Sequence, residues 1–263
     1  MTTFNLPQIR HFEATKHNDK DVDPYINESL VSYISKFECS AHEPYAKLPD
    51  MCNMKESIGF FKYIEVFKTF PFKPNMKIHF FQTEDYARKA ANLIYTSATE
   101  DVMERADLVV SGQVDFFSVV KSVVERMKKS GNLIVPVQEL FSLSSVQTLY
   151  LLCYCFTTVT IYAPVLHTGQ TKYVVATHLK KNFTFKNAPP FTMQMSQLFL
   201  VKLIEINTII GQKRLEQVRF NNCCDYECAI WRSKFLNDVD VNADSRVDKS
   251  QQTFETAHGN AVM

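Results

Sequence analysis

The side chains that could do chemistry are thinly spread, and none of them forms a familiar catalytic or metal-binding motif. The tightest cluster contains Cys223, Cys224 and Cys228, which lie close to Asp225 and Glu227 but have no matching histidine. Zinc sites normally present spaced pairs of ligands. We therefore interpret the seven cysteines as reduced, mostly buried thiols and predict no metal site. Neither a phosphate-binding glycine loop nor a nucleophile elbow is present.

Charge gives only local clues to a partner. The formal net charge is +1, so no overall field draws a polyanion to the surface, and any RNA contact must use a local basic patch. Two candidate patches contain Arg126, Lys128 and Lys129 in the first, and Lys172, Lys180, Lys181 and Lys186 in the second. A solvated helix end and a strand edge are the simpler interpretation of both patches.

Length and apolar patterning favour one globular α/β domain. The chain has 263 residues and 46% hydrophobic content, enough for a sizeable core. The most apolar stretch, residues 149–165, contains Thr and Tyr and ends near Pro164, so it is too short for a membrane span. With no signal peptide visible, we expect an intracellular protein, cytoplasmic or nuclear.

Apolar periodicity divides the chain into alternating strands and helices. We predict strands at 46–52, 76–81, 106–111, 132–137, 159–162 and 172–176, and helices at 24–37, 56–68, 84–94, 115–129, 144–156 and 193–220. This alternation favours a Rossmann-like, three-layer sandwich with a mostly parallel sheet. The last two strands are too close for a crossover helix and should pair as an antiparallel hairpin.

The same pattern suggests four segments along the chain. Residues 1–23 are polar and predicted to be a flexible arm, and residues 24–180 form the α/β domain. Residues 181–236 are a helical extension, and residues 237–263 are predicted to be a disordered tail.

The segment from Gly131 to Pro164 contains a series of short sequence features in a fixed order. A glycine precedes an apolar strand; then follow Leu-Phe at 140–141, Leu-Tyr-Leu-Leu at 149–152 and Phe-Thr-Thr-Val at 156–159. This series resembles the FtsJ-like cap-specific mRNA ribose 2′-O-methyltransferases, as does the strand at 172–175. Weaker, collinear similarity extends the resemblance over residues 24–180. It implies a class I methyltransferase fold, in which a mostly parallel sheet ends in an antiparallel hairpin strand.

The resemblance also implies that the family's chemistry has been lost. The family uses a Lys-Asp-Lys-Glu tetrad, in which one lysine acts on the ribose hydroxyl and the other charges tune its pKa. The four matching positions hold Ser32, Gly112, Pro136 and Thr171, none of which is ionisable. Proline at 136 removes a backbone donor as well. We therefore expect no catalytic residue among these four positions.

Charged residues close to the tetrad positions leave an alternative open. Lys36 follows Ser32 by one helical turn, and three further candidates lie near the other positions: Asp115, Glu139 and Lys172. A local rearrangement that brings these groups around one pocket would restore an active site.

The family's S-adenosylmethionine loop is matched only in part. The resemblance assigns Asp50, Gly59 and Phe60 to a vestigial cofactor site. The family's loop is rich in glycine, which lets the backbone approach the cofactor. Residues 53–58 are bulkier and contain no glycine, so we expect them to crowd the site and predict that no cofactor binds.

These residues favour a catalytically inactive, methyltransferase-like protein that acts by binding. Its partner would be a protein, a second copy of the chain, or RNA. The alternative is an active S-adenosylmethionine-dependent RNA cap 2′-O-methyltransferase with a rearranged site. A third hypothesis is a structural protein of a large DNA virus, which would be present in stoichiometric amounts in purified particles.

Overall fold

The computed structural model describes residues 3–10, 15–16, 44–112, 115–166, 171–180, 191–192, 194–219 and 225–237. Within these ranges the strands are β1 Thr3–Asn5, β2 Thr15–Lys16, β3 Lys77–Phe81, β4 Thr99–Glu100, β5 Leu108–Ser111, β6 Asn132–Val137, β7 Phe156–Tyr162, β8 Lys172–Leu179 and β9 Phe191–Thr192. The α-helices are α1 Leu48–Cys52, α2 Ile58–Thr69, α3 Asp85–Ile94, α4 Phe116–Arg126, α5 Leu143–Cys155, α6 Gln197–Arg219 and α7 Asp225–Leu236. Short 3₁₀ helices span Pro44–Lys47 and Met103–Arg105.

In the part of the chain that the structure describes, seven strands form the main sheet, in the order β1-β7-β8-β6-β5-β3-β4. Strands β4, β3, β5 and β6 are parallel neighbours, and β8 is antiparallel to both β6 and β7. Strand β7 therefore runs in the same direction as β6, and the chain turns back between β7 and β8 as an antiparallel hairpin. The predicted fold class, a three-layer α/β sandwich whose mostly parallel sheet ends in such a hairpin, is confirmed.

Helices cover both faces of this sheet. On one face, α4, α5 and α6 pack against alternate strand residues such as Val109 and Val135. On the other face, α1, α2, α3 and α7 pack against their neighbours Val110 and Ile134. The alternation follows from the two-residue period of a strand. No helix among the described residues is long and apolar enough to cross a bilayer.

Side-chain caps explain where several helices begin. Ser57, Asp115 and Ser142 precede α2, α4 and α5, and each accepts a hydrogen bond from a backbone N–H in the first turn. Such caps satisfy donors that have no partner inside the helix. The predicted helices at 56–68, 84–94, 144–156 and 193–220 are confirmed, with ends shifted by a few residues.

The strand predicted at 46–52 is wrong, because this segment is helical. It forms the end of a 3₁₀ helix and then α1, with proline near the start of α1. Leu48 and Cys52 are both buried and lie four residues apart, which is helical spacing. A short apolar run does not distinguish a strand from a buried helix by its period alone.

Two other predictions need correction. Helix α4 ends at Arg126 and not at residue 129, because Met127 adopts an extended backbone and buries its side chain. The prediction of a flexible arm is wrong for residues 3–10, because β1 pairs with the edge strand β7 and Leu6 and Ile9 are buried. The predicted helix at 24–37 and the predicted disordered tail from 238 onward lie outside the described residues.

Candidate functional site

A cavity of about 690 Å³ opens where β3, β5 and β6 end. Gln82 follows β3, Asp115 lies four residues beyond the end of β5, and Pro136 and Val137 end β6; all four line this cavity. From β3 the chain proceeds outward to β4, whereas β5 lies on the other side of β3. Ligands of open α/β sheets bind at such a reversal, beyond the carboxyl ends of the strands. We call this space the carboxyl-edge cavity.

The first turns of three helices surround the carboxyl-edge cavity. It is lined by Glu84 and Tyr86 from the start of α3, by Asp115 and Phe116 from the start of α4, and by Ser145 from α5. Helix N-termini favour anions. Here the protein's own carboxylates, Glu84, Asp115 and Glu139, already lie at this rim, and no Lys or Arg is among the described residues that line it.

Glu139 is fully engaged in local structure. Its carboxylate accepts hydrogen bonds from the backbone N–H groups of Phe141 and Ser142 and from the hydroxyls of Ser142 and Ser145, at 2.6–2.9 Å. Burial raises the pKa of Glu139, but these hydrogen bonds together lower it by more than burial raises it. The pKa of Glu139 therefore lies below its ordinary value of 4.5. A general base works best with a pKa near the operating pH. Glu139 therefore stabilises the start of α5 and is poorly suited to proton transfer.

The other two described rescue candidates are also bonded to the chain. Asp115 accepts a hydrogen bond from the N–H of Ser118 at 2.8 Å and caps α4. The ammonium group of Lys172 donates to the carbonyl oxygen of Gln138 at 3.0 Å, just outside the cavity lining. Lys36, the remaining candidate, lies outside the described residues.

The tetrad positions lie at the same edge of the sheet. Gly112 follows β5, Pro136 lies in β6, and Thr171 immediately precedes β8. Pro136 lines the cavity and is paired with Tyr173 of β8; the pairing of β6 with β5 stops before it, at Ile134. The missing N–H of proline therefore interrupts no ladder. Ser32 lies outside the described residues.

Gly112 is required by a close backbone contact. A Cβ atom at this position would lie 2.0 Å from the carbonyl oxygen of Gln82 and 3.0 Å from the Cα of Thr83. Gln82 itself has φ 51°, in the left-handed region that favours glycine. The turn after β3 and the end of β5 are thus packed backbone against backbone. No aspartate fits at position 112 unless this turn moves.

The three residues that the resemblance assigns to a cofactor loop, Asp50, Gly59 and Phe60, lie away from the carboxyl-edge cavity. Asp50 is exposed on α1, and Gly59 and Phe60 form the first turn of α2, before the first parallel strand of the sheet. None of the three lines the carboxyl-edge cavity, and neither do residues 53–58. In a Rossmann-like sheet the cofactor turn follows the first parallel strand. Here that strand is β3, and the turn after it is Gln82-Thr83-Glu84.

The residues of this turn do not fit S-adenosylmethionine, because they do not let the backbone approach the cofactor as a glycine-rich loop does. The turn contains no glycine. The carbonyl oxygen of Gln82 packs against Gly112, so no open space for a cofactor lies between them. Nucleotide-binding α/β sheets place an acidic residue about 20 positions later, against the ribose. Glu100 lies near that spacing, but it pairs with Arg88 at 3.2 Å and is opposite Ile78, three residues short of the end of β3.

Aromatic rings fill the space beside this turn. The rings of Tyr63 and Tyr173 meet edge to face at 5.3 Å, and the ring of Tyr86 lies 5.9 Å from that of Tyr63. The Tyr63 hydroxyl donates to the carbonyl oxygen of Ser111 at 2.9 Å. Burial raises the pKa of Tyr63 and of Tyr173, so both remain neutral phenols. Gly59 lies under the ring of Tyr86, and a Cβ atom at position 59 would lie 2.6 Å from that ring, which explains glycine there.

The site thus contains residues that the sequence did not single out. Gln82, Glu84 and Tyr86 follow β3, and their only signal was their place after the predicted strand at 76–81, at the start of the predicted helix at 84–94. Within the described ranges, no three His, Cys, Asp or Glu side chains are placed to hold a metal ion. The four described cysteines, Cys52, Cys153, Cys155 and Cys228, are free and buried.

Scans of the chain against protein-family models and against curated proteins found no match.

Proposed function

We propose that this chain is an FtsJ-like methyltransferase homologue that does not transfer methyl groups and acts by binding. The observation that carries this proposal is Gly112, whose contact with the Gln82 carbonyl oxygen leaves no room for the family's aspartate. Fold and activity are separable, so a methyltransferase-like sheet can persist after its chemistry is lost.

The charges at the carboxyl edge support the same proposal. Glu84, Asp115 and Glu139 give the cavity rim negative charge, which opposes the approach of an RNA phosphate. Asp115 and Glu139 are committed as helix caps. An active enzyme with a rearranged site would have to release these caps before its carboxylates could act on a ribose hydroxyl.

An exposed apolar stripe on α6 supports a protein partner. Leu198, Val201 and Ile204 are 68%, 62% and 40% exposed, and they lie about one turn apart. The opposite side of α6 buries Phe199 and Leu203 in the core. Contiguous apolar surface of this kind marks protein-contact sites. A Leu198→Ser/Val201→Ser variant should fold normally and lose partner binding.

A methyl-transfer assay on capped RNA tests the proposal. We expect no methyl incorporation from radiolabelled S-adenosylmethionine above that of a heat-denatured sample. Methyl transfer that disappears in Lys36→Ala or Lys172→Ala would overturn the proposal and establish the rearranged active site. A contaminating enzyme would give activity that both variants retain.

A further inference from the structure

A second cavity, of about 720 Å³, lies at the opposite edge of the sheet, where the parallel strands begin. Met76 precedes β3, Asp107 precedes β5, and Asn132 begins β6, while Thr177 and His178 belong to the end of antiparallel β8. We call this cavity the amino-edge groove. It shares no lining residue with the carboxyl-edge cavity, so an inference about it does not depend on the loss of methyl transfer.

The amino-edge groove is positively charged. Lys73, Lys128 and Lys129 line it, and Asp107 has the one carboxylate among the described residues of the lining. Asp107 accepts hydrogen bonds from the Lys128 ammonium at 2.5 Å and from the N–H of Lys77 at 2.8 Å. Burial raises the pKa of Asp107, but these contacts lower it below the ordinary value. The charge of Lys73 also lowers this pKa, and the Asp107 carboxylate offsets one of the three lysine charges, which leaves two in excess among the described lining residues.

Those two lysines differ from several other basic residues on the described surface. Lys77, Arg88, Lys89, Arg105 and Arg126 each pair with a carboxylate within 4.0 Å. Lys73 and Lys129 are exposed, and neither has such a pair with any described residue. Their charges are available to an anion that enters the groove.

Aromatic and apolar side chains form the rest of the lining. Phe70, Pro71, Phe72 and Met76 all contribute, with Met76 only 3% exposed and both phenylalanines half-buried. Phe70 is held edge to face against the ring of Tyr162, at 5.6 Å. Aromatic rings of this kind provide faces on which planar bases stack.

Two residues of the groove have a left-handed backbone conformation, and a hydrogen bond from each N–H group holds it in place. Ser130 and His178 both line it, and both have left-handed backbones, with φ 64° and 57°. The N–H of Ser130 donates to the carbonyl oxygen of Leu179 at 2.9 Å, and the N–H of His178 donates to the side chain of Asn132 at 3.1 Å. Left-handed residues other than glycine are costly and cluster at functional sites.

The geometry points to the amino-edge groove as a binding site for nucleotides, with Lys73 and Lys129 contacting phosphate and Phe72 contacting the base. A phosphate requires cations, and a base requires a flat apolar surface; this groove offers both within one cavity. An acidic peptide would use the lysines but would leave the aromatic lining without a matching group. The ligand is either a free nucleotide or one unit of a single-stranded nucleic acid.

Two titrations distinguish these sources. Fluorescence anisotropy with a labelled oligouridylate measures single-strand binding, and calorimetry with uridine and guanosine monophosphates measures free nucleotides. Saturable binding of either ligand is expected, and the tighter one identifies the source. If neither binds at low salt, the inference is overturned.

Charge variants locate the binding. We expect Lys73→Gln/Lys129→Gln to weaken oligouridylate binding about tenfold or more at low salt. The slope of log affinity against log salt should fall by about 1.4, because each lost phosphate contact on a single strand contributes about 0.7. The matched control Lys55→Gln/Lys89→Gln removes the same charge away from the groove and should bind like wild type. Equal loss in both double variants would mean non-specific attraction and would overturn the inference.

A separate variant, Phe72→Ala, tests whether the aromatic lining of the groove contacts the base. We expect Phe72→Ala to lower affinity about five- to 150-fold while leaving the salt slope unchanged, since stacking involves no counterions. Unchanged emission of Trp231 shows that the variant is folded. Equal affinity of wild type and Phe72→Ala, or binding of poly-glutamate as tight as that of oligouridylate, would exclude a nucleotide site.

Discussion

Replacing Gly112 tests the packing at the carboxyl edge. The Cβ of alanine would lie 2.0 Å from the Gln82 carbonyl oxygen. An ordinary carbon–oxygen contact is about 3.3 Å, so the turn after β3 must move by roughly 1 Å. Forcing atoms into a packed interior costs about 1–3 kcal/mol. Because the contact is with backbone, we expect Gly112→Ala to cost about 3 kcal/mol, and Gly112→Asp to cost more.

Urea unfolding followed by tryptophan emission measures this cost. Trp231 is the single tryptophan and is fully buried, so its emission reports unfolding directly. A loss of about 3 kcal/mol corresponds to a melting temperature lower by roughly 6–12 °C in a chain of this size.

A second glycine provides the control for this experiment. At Gly59 the neighbour of an added Cβ is the ring of Tyr86, 2.6 Å away, which can turn aside. Alanine also favours the helix by about 1 kcal/mol. Gly59→Ala should therefore cost much less than Gly112→Ala. If Gly112→Ala stays within about 0.5 kcal/mol of wild type, or if Gly112→Asp gains methyl transfer, the contact between Gly112 and Gln82 does not exclude a side chain from this edge.

Three further predictions concern Glu65, Glu139 and the cysteines. Glu65 accepts hydrogen bonds from the side chains of Tyr162 and Trp231 and from the N–H of Val165, so Glu65→Leu should cost about 3 kcal/mol or more in urea unfolding and shift tryptophan emission to the red; unchanged emission would contradict this. Glu139→Ala should cost about 1–2 kcal/mol at neutral pH. Because the folded pKa is depressed, the stabilisation is present above pH 4.5 and is lost as the pH falls through the folded value, so urea curves of variant and wild type should converge in acid; a constant difference would contradict it. Four of the seven cysteines are buried, so at most three should react with a thiol reagent before denaturation, and rapid reaction of more than three would contradict it.

The sequence predicted the layers well because periodicity and caps are local. Helix α4 has apolar residues at helical spacing after Asp115, and β6 has a continuous apolar run at 133–137, followed by a polar turn. The hairpin of β7 and β8 followed from the short connection between them. Residues 3–10 could not be predicted in this way, since their pairing depends on the exposed edge of β7, far along the chain.

The candidate site was predicted less well, for a physical reason. Taking 46–52 as a strand placed the predicted cofactor turn before α2, whereas the carboxyl-edge cavity lies after β3, which was recognised as a strand. Long-range contacts such as that between Gly112 and Gln82 leave no local pattern. The amino-edge groove had a weak signal in Phe70, Phe72 and Lys73, where aromatic and basic residues are interleaved just before β3. Only the fold brings these residues to Lys128 and Lys129.

A calorimetric titration with S-adenosylmethionine and, in parallel, S-adenosylhomocysteine tests whether the carboxyl edge of the sheet binds the cofactor. We expect no saturable heat at concentrations far above the micromolar range, because the turn after β3 lacks glycine and packs against Gly112. Saturable binding of either compound would contradict the claim that this edge of the sheet has lost its cofactor site.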